Sequence, residues 1–257
     1  MKRIFVFPRL FLLLLAWGHA SHVNAQGPLP SAKELAGQLS TTVRDGSSII
    51  RLKLEGGKPD PVLQLQIKSR RTPVGTDVLY QILWPKERKG EGFLLKKNGS
   101  GSYFKPTGAI SPIPLSEMDQ PVFGSGLSYS DLVENFYSWE QQAVKGPEVV
   151  DRVSCIILES KPGGGDRSNY GLVRSWIDAK RLVPLRVEKY NKSNQLVRRI
   201  TTTKVAKDDT RNHVAASFTV QQSGQTGVTA LEGSNSRHDV TFQDTDFTPE
   251  ALRIAGK

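Results

Sequence analysis

The 257-residue chain contains a single cysteine, Cys155, so no intramolecular disulfide can form and packing alone must hold the fold. Cys155 lies in the apolar stretch Val153-Ser154-Cys155-Ile156-Ile157-Leu158, where a thiol behaves as a small hydrophobe. Histidine is nearly as scarce. Beyond the first 25 residues only His213 and His238 occur, with no Cys, Asp or Glu arranged around either at metal-ligand spacing, so no metal is expected. The Gly-Ser-Gly pieces at Gly99 to Gly101 and Gly124 to Gly126 match neither a nucleophile elbow nor a dinucleotide fingerprint and are predicted to be turns, with no cofactor. Asp119, Asp131 and Glu134 stand where helix-start carboxylates stand, and nothing in the sequence pairs them for acid-base work. The chain is therefore not expected to be an enzyme. The apolar run Leu10 to Trp17 falls short of the roughly 20 residues needed to span a bilayer, and nothing later is longer.

That run nevertheless has a use. Met1-Lys2-Arg3 places positive charge before it, and Val23-Asn24-Ala25 ends on a small residue, the pattern of a signal peptide over residues 1–25. No cysteine follows at a lipid-attachment position, so a released periplasmic protein is expected, with residues 26–257 forming one domain. Removing Lys2, Arg3 and Arg9 lowers the formal charge from +10 to +7. The excess is scattered. Lys86-Glu87-Arg88-Lys89 and Arg198-Arg199 are short runs at expected turns or solvent-facing strand positions, which indicates a solvated face and no nucleic-acid partner. A basic exported protein is still drawn to anionic lipid surfaces at long range.

Hydrophobic spacing starts near four and then drops to two. Leu35, Leu39 and Val43 lie four apart in Ser31 to Arg44, with Ser31 and Glu34 forming a capping box, and predict an amphipathic helix. Strands are predicted over 48–55, 62–69, 77–84 and 92–97, bounded by Gly-Gly, Pro-Asp-Pro, Pro-Val-Gly and Asn-Gly. Residues 103–126 are rich in Pro, Gly and Ser and predict an irregular excursion, followed by a short helix over 128–137, together a lid or plug. Strands resume over 141–144, 152–160, 171–178, 183–190, 195–205, 215–222 and 227–231, and Thr248-Pro249 opens a final short helix. About ten or eleven antiparallel strands cannot stay flat. The fold class is mainly β (α+β), a strongly curved sheet or unclosed barrel with a few covering helices.

The segment Phe123-Gly124-Ser125-Gly126-Leu127-Ser128-Tyr129-Ser130-Asp131-Leu132 resembles the Gly-Ser/Thr-Asp-Phe-Ser-Tyr-Asp/Glu-Asp-Leu signature of the outer-membrane lipoprotein-sorting (LolA-like) family, with Gly126 and Leu127 in place of Asp-Phe. Flanking pieces resemble the family in the same order: Ile82-Leu83-Trp84-Pro85, Gly92 to Lys96, Tyr103-Phe104-Lys105-Pro106, Val149 to Glu159, Arg174 with Trp176 and Asp178, Val183 to Tyr190, and Phe247 to Leu252. The resemblance implies a half-barrel whose apolar concave face accepts acyl chains of lipoproteins or lipids for transfer towards the outer membrane, alongside an inner-membrane exporter or an outer-membrane acceptor. It marks Gly124, Ser125, Ser128, Tyr129, Asp131 and Leu132 as signature and lid residues.

A curved sheet with few helices to fill it is expected to leave an open hydrophobic trough. Candidate lining residues are Leu63, Leu65, Ile67, Val78, Tyr80, Ile82, Trp84, Phe93, Leu95, Trp139 and Trp176. An apolar residue at strand period is more often plain core than a ligand contact, and the sequence does not say which face looks inward. The signature is equally explained by structure, Ser128 capping a helix and the glycines supplying turns. A monomeric carrier or chaperone is the leading expectation, and a non-enzymatic module docking a protein partner the alternative.

Overall fold

The computed structural model of the protein describes residues 29–44, 47–56, 62–72, 75–96, 99–166 and 168–254. The expected leader and the Pro59-Asp60-Pro61 turn lie outside them. Ser31 caps helix α1 (Ala32–Arg44) in the expected box: the Glu34 N–H donates to Ser31 Oγ at 3.2 Å and the Ser31 N–H to Glu34 Oε2 at 3.2 Å.

One antiparallel sheet of thirteen strands makes up the rest. Its strands are β1 (Ser48–Glu55), β2 (Leu63–Thr72), β3 (Gly75–Trp84), β4 (Gly92–Leu95), β5 (Gly101–Phe104), β6 (Ile110–Ile113), β7 (Gln141–Val150), β8 (Val153–Lys161), β9 (Tyr170–Asp178), β10 (Pro184–Asn191), β11 (Leu196–Lys207), β12 (His213–Gln222) and β13 (Val228–His238). Their order is β6-β5-β4-β3-β2-β1-β13-β12-β11-β10-β9-β8-β7. The first six strands wind away from β1 on one side, and the last seven return until β13 pairs with its other side, Ser48 opposite His238 and Glu55 opposite Ala230. The sheet is thus curved and unclosed, with β6 and β7 as its free edges.

Both edges carry a proline, Pro112 in β6 and Pro147 in β7. Proline has no N–H to give to a ladder, which confines it to such edges and blunts them against further pairing. Expecting only irregular chain after Tyr103 missed β5 in part and β6 altogether, because the Gly, Pro and Ser that signal a loop are also what an edge strand tolerates.

The two faces are filled by different parts of the chain. On the convex face, short 3-10 turns at Asp244–Phe247 and Pro249–Arg253, in place of the expected final helix, bury Phe247 and Leu252 against Leu79, Leu94 and Phe104. On the concave face, α1 lays Leu35, Ala36 and Leu39 over Ile156, Leu158 and Ile177. The remaining concave surface is roofed by the connection from β6 to β7, residues 114–140, which crosses from one free edge to the other. It is called the cover below.

Candidate functional site

The cover is built from turns. A 3-10 turn at Leu115–Glu117 leads to a small loop closed by the bridge Pro121–Ser128, with the Val122 N–H donating to Leu127 O at 2.8 Å and Phe123 and Gly124 at positive φ (52° and 76°). Ser128 then caps α2 (Tyr129–Val133): its N–H and its Oγ–H both donate to Asp131 Oδ2 at 2.8 Å, and the Asp131 N–H returns to Ser128 Oγ. The single helix expected over 128–137 is two pieces, α2 and a 3-10 turn at Phe136–Ser138, broken at Glu134 and Asn135.

Beneath the cover the sheet is apolar. Phe123, Leu127 and Leu132 pack on Leu52, Leu54, Leu63, Leu65, Ile82, Val220 and Leu231. Met118, Val122, Tyr129 and Val133 pack on Phe93, Leu95 and Ile113. Phe93 is fully buried, stacked on Tyr80 at 4.7 Å between centroids and met by Phe123 at 5.1 Å and edge-on by Tyr129 at 4.9 Å. The open trough expected from the sequence is therefore occupied by the chain's own side chains. Among the described residues, two open surface clefts, of about 280 Å³ beside Leu94 and Pro249 and about 270 Å³ beside Leu185 and Val205, lie on the convex face.

Of the expected lining residues, Leu63, Leu65, Ile82, Phe93 and Leu95 are buried under the cover, with Ile67 and Tyr80 half-buried beside them and Val78 buried in phase with Tyr80 and Ile82. Trp139 is buried against Tyr170, Val173 and Val187, also on the concave side. Trp84, 48 % exposed, ends β3 and is not enclosed. Trp176 stands on the other face, packed on Cys155 and Leu185 with the Arg186 guanidinium 5.2 Å above its ring. Strand alternation sends its neighbour Ser175 inward instead, where it receives a 3.3 Å hydrogen bond from the Tyr137 hydroxyl.

Each signature residue has a definite place. Gly124 makes the positive-φ turn, and the Ser125 hydroxyl accepts from the Leu127 N–H at 3.1 Å. The Gly126 N–H donates to Thr229 Oγ1 at 2.8 Å, fastening the cover to β13, while a Cβ at Gly126 would meet only ordinary contacts at 3.4 Å and beyond.

Asp131 is the centre of a buried polar cluster. Its Oδ1 accepts from Lys189 Nζ at 2.7 Å and from the Tyr170 hydroxyl at 2.8 Å, and its Oδ2 is held by Arg198 Nη1. The side chains of Asp131, Lys189 and Arg198 are 1 %, 2 % and 6 % exposed. Burial drives the Asp131 carboxyl up, but Lys189 and Arg198 together outweigh it and hold the pKa at about 2. Burial pushes the Tyr170 hydroxyl and the Glu134 carboxyl upward. Lys189 also lies 4.9 Å above the Tyr170 ring and 5.4 Å from that of Phe136. Two buried polar atoms here have no hydrogen-bond partner, Arg198 Nε and Glu134 Oε2.

The sequence reading of Arg198-Arg199 as a solvent-facing run holds only for Arg199, which pairs with Glu188 at 2.8 Å; Arg198 points inward. Lys189, Arg198 and Tyr170 were not singled out as site residues. The signal was present: Lys189 shares the phase of Val187, and Arg198 that of Ile200, so two neighbouring strands each place a cation in line with apolar residues.

His238 is less isolated than its sequence neighbours suggested. It hydrogen-bonds through Nδ1 with Asp209, and its Nε2 lies 3.9 Å from Asp208 Oδ2, contacts that staple the β11–β12 turn to the end of β13. The three residues bring ligand atoms within 4.8 Å of one another.

The comparisons with known proteins agree with this architecture. No curated protein matches the chain. A DUF1329 family protein from Desulfovibrio piger is 21 % identical over 86 % of this chain and 97 % of that one, with a TM-score of 0.78. An outer membrane lipoprotein-sorting protein domain from Vibrio parahaemolyticus is 19 % identical over 87 % and 98 %, with a TM-score of 0.75. A LolA superfamily protein from Nitrosomonas europaea is 19 % identical over 87 % and 100 %, with a TM-score of 0.70. At such identities the likeness concerns the fold. A family model described as "Uncharacterized protein" matches residues 75–254, from β3 to the last 3-10 turn, so the chain belongs to that family, and its fold is the LolA-like curved, unclosed sheet of these three structures.

Proposed function

We propose that the protein is a non-enzymatic carrier of the cell envelope that holds acyl chains of a lipid or lipoprotein against the concave face of its sheet, and that the packed arrangement under the cover is its closed form. In this reading the leader is removed after Ala25, residues 26–257 work as one domain in the periplasm, and cargo passes between an inner-membrane exporter and an outer-membrane acceptor. The observation that carries the proposal is the construction of the cover. Among the described residues its backbone-to-backbone hydrogen bonds are internal and it supplies no strand to the sheet, so it can lift as a unit without breaking a ladder, giving up among its backbone N–H bonds only that of Gly126 to the Thr229 side chain.

Magnitudes support an exchange. Val122 and Leu127 of the cover are buried and Met118, Phe123, Leu132 and Val133 half-buried, so that at about 1.5–3 kcal/mol for each full burial the six contribute at most about 9–18 kcal/mol. A lipid tail of about fifteen methylenes at about 0.8 kcal/mol apiece offers about 12 kcal/mol to the same surface. Cover and cargo contributions are thus of the same order, which is the condition for both loading and release.

The test is a reversible staple. Gly126→Cys with Thr229→Cys, in a Cys155→Ala background, joins the cover to β13 at a place where the built Cβ of residue 126 is 3.5 Å from Thr229 Oγ1. A fluorescent fatty-acid probe is expected to bind saturably to the reduced protein and not to the oxidised one. The packed concave face also suits the second reading, a sealed module that docks a protein partner. Failure of the probe to bind the reduced form, with no lipid co-purifying from the envelope fraction, would establish that reading in place of the carrier.

A further inference from the structure

We infer that Lys189 and Arg198 form the seat for the anionic group of the carried amphiphile, and that Asp131 fills that seat in the closed form as an internal stand-in. The inference rests on the carrier reading and narrows it to an anionic cargo. Lys189 and Arg198 are direct partners across β10 and β11, so both belong to the sheet and stay when the cover lifts. Asp131 and Glu134 belong to the cover and leave with it. The lifted state therefore has two cations on an apolar surface with their carboxylate gone, a costly arrangement unless another anion replaces it.

The seat is built to hold more than Asp131 offers. Asp131 and the Tyr170 hydroxyl both engage Nη1 of Arg198, at a short contact and at 2.5 Å respectively, while Nε remains unpartnered. A carboxylate or phosphate arriving at the end of a flexible tail can take the positions of both Asp131 oxygens and reach that spare donor as well. Val187 and Ile200 adjoin the cations on the sheet and lead towards the apolar strip beneath Leu127, so an anion at the seat directs its tail along the face the cover vacates.

The experiment compares probes that differ only in charge, on the full mature chain. Palmitate is set against its uncharged methyl ester, and phosphatidic acid against diacylglycerol, for the wild type, Asp131→Asn and the paired variant Asp131→Asn with Lys189→Met. Asp131→Asn is expected to bind the anionic member of each pair about tenfold more tightly than wild type, because the internal competitor is gone. The paired variant, in which one cation and its counter-charge are removed together, is expected to lose that gain and to bind charged and uncharged probes alike. The preferred anionic probe, and competition by inorganic phosphate, tells a phosphate headgroup from a fatty-acid carboxylate. If the variants shift charged and uncharged probes equally, the seat is refuted and the carrier reading stands. If no acyl probe binds any form, both fall.

Discussion

Replacing Asp131 by Asn isolates the ion cluster that ties the cover to the sheet. The substitution keeps the shape of the side chain and its capping contact with Ser128 but leaves Lys189 and Arg198 buried without a counter-charge, a loss of about 3–5 kcal/mol for a pair as enclosed as this one. The pH dependence is a second, independent signature. The folded-state pKa of Asp131, about 2, lies below its ordinary 3.8, so the carboxylate contributes stability that is present above pH 3.8 and lost as the pH falls through 2. That difference amounts to about 2 kcal/mol at neutral pH, of which about 1 kcal/mol is gone by pH 3. Glu134 beside it has a raised pKa and acts in the opposite sense, so its share is greatest in acid and lost as the pH rises. Burial, the main cause of that rise, is common to wild type and variant. Urea unfolding of both at pH 7 and pH 3 should therefore show the variant less stable at pH 7 and the gap narrower by about 1 kcal/mol at pH 3. A gap that does not change with pH, or a variant as stable as the wild type, would refute the placement of Asp131 in a buried ion cluster.

Other consequences can be checked in the same way. Phe93→Ala, which removes a fully buried ring from between Tyr80, Phe123 and Tyr129, should cost about 3–5 kcal/mol in chemical denaturation. Gly92→Ala should be strongly destabilising in a thermal melt, because its Cβ would lie 2.3 Å from the Tyr80 carbonyl oxygen in the β3–β4 pairing. Trp176→Ala should lower the melting temperature yet leave acyl-probe affinity unchanged, since Trp176 packs on the convex face. The Cys155 thiol, buried and with its pKa pushed up by that burial, should react with a thiol reagent only as fast as the protein opens.

The fold was legible where alternation is strict. In β1, Leu52 and Leu54 face the core while Arg51 and Glu55 face water, and the strand runs from Ser48 to Glu55, as its period predicts. Legibility failed at the free edges, since Pro112 in β6 reads as a breaker until the strand is known to have no outer neighbour. Period also could not tell concave from convex. Trp176 and Trp139 look alike in sequence, but they fall on opposite faces of the sheet. The filling of the trough was hidden for a different reason: a segment of turns has no period, so the burial of Val122 and Leu127 depends on where the cover lands. The seat depended on register. Lys189 meets Arg198 just before the bulge at Tyr190, and no spacing along the chain announces that pairing, although Asp131 was already visible as the last acidic residue of the signature.

Amide hydrogen exchange across the cover, with and without a saturating fatty-acid probe, bears most directly on whether cargo replaces the cover. Loading should speed exchange at the Gly126 amide, whose bond to the Thr229 side chain breaks when the cover lifts, while β1, β2, β12 and β13 keep their protection. A probe that binds while the Gly126 amide stays protected would mean that acyl chains go elsewhere and that the cover is a permanent part of the core.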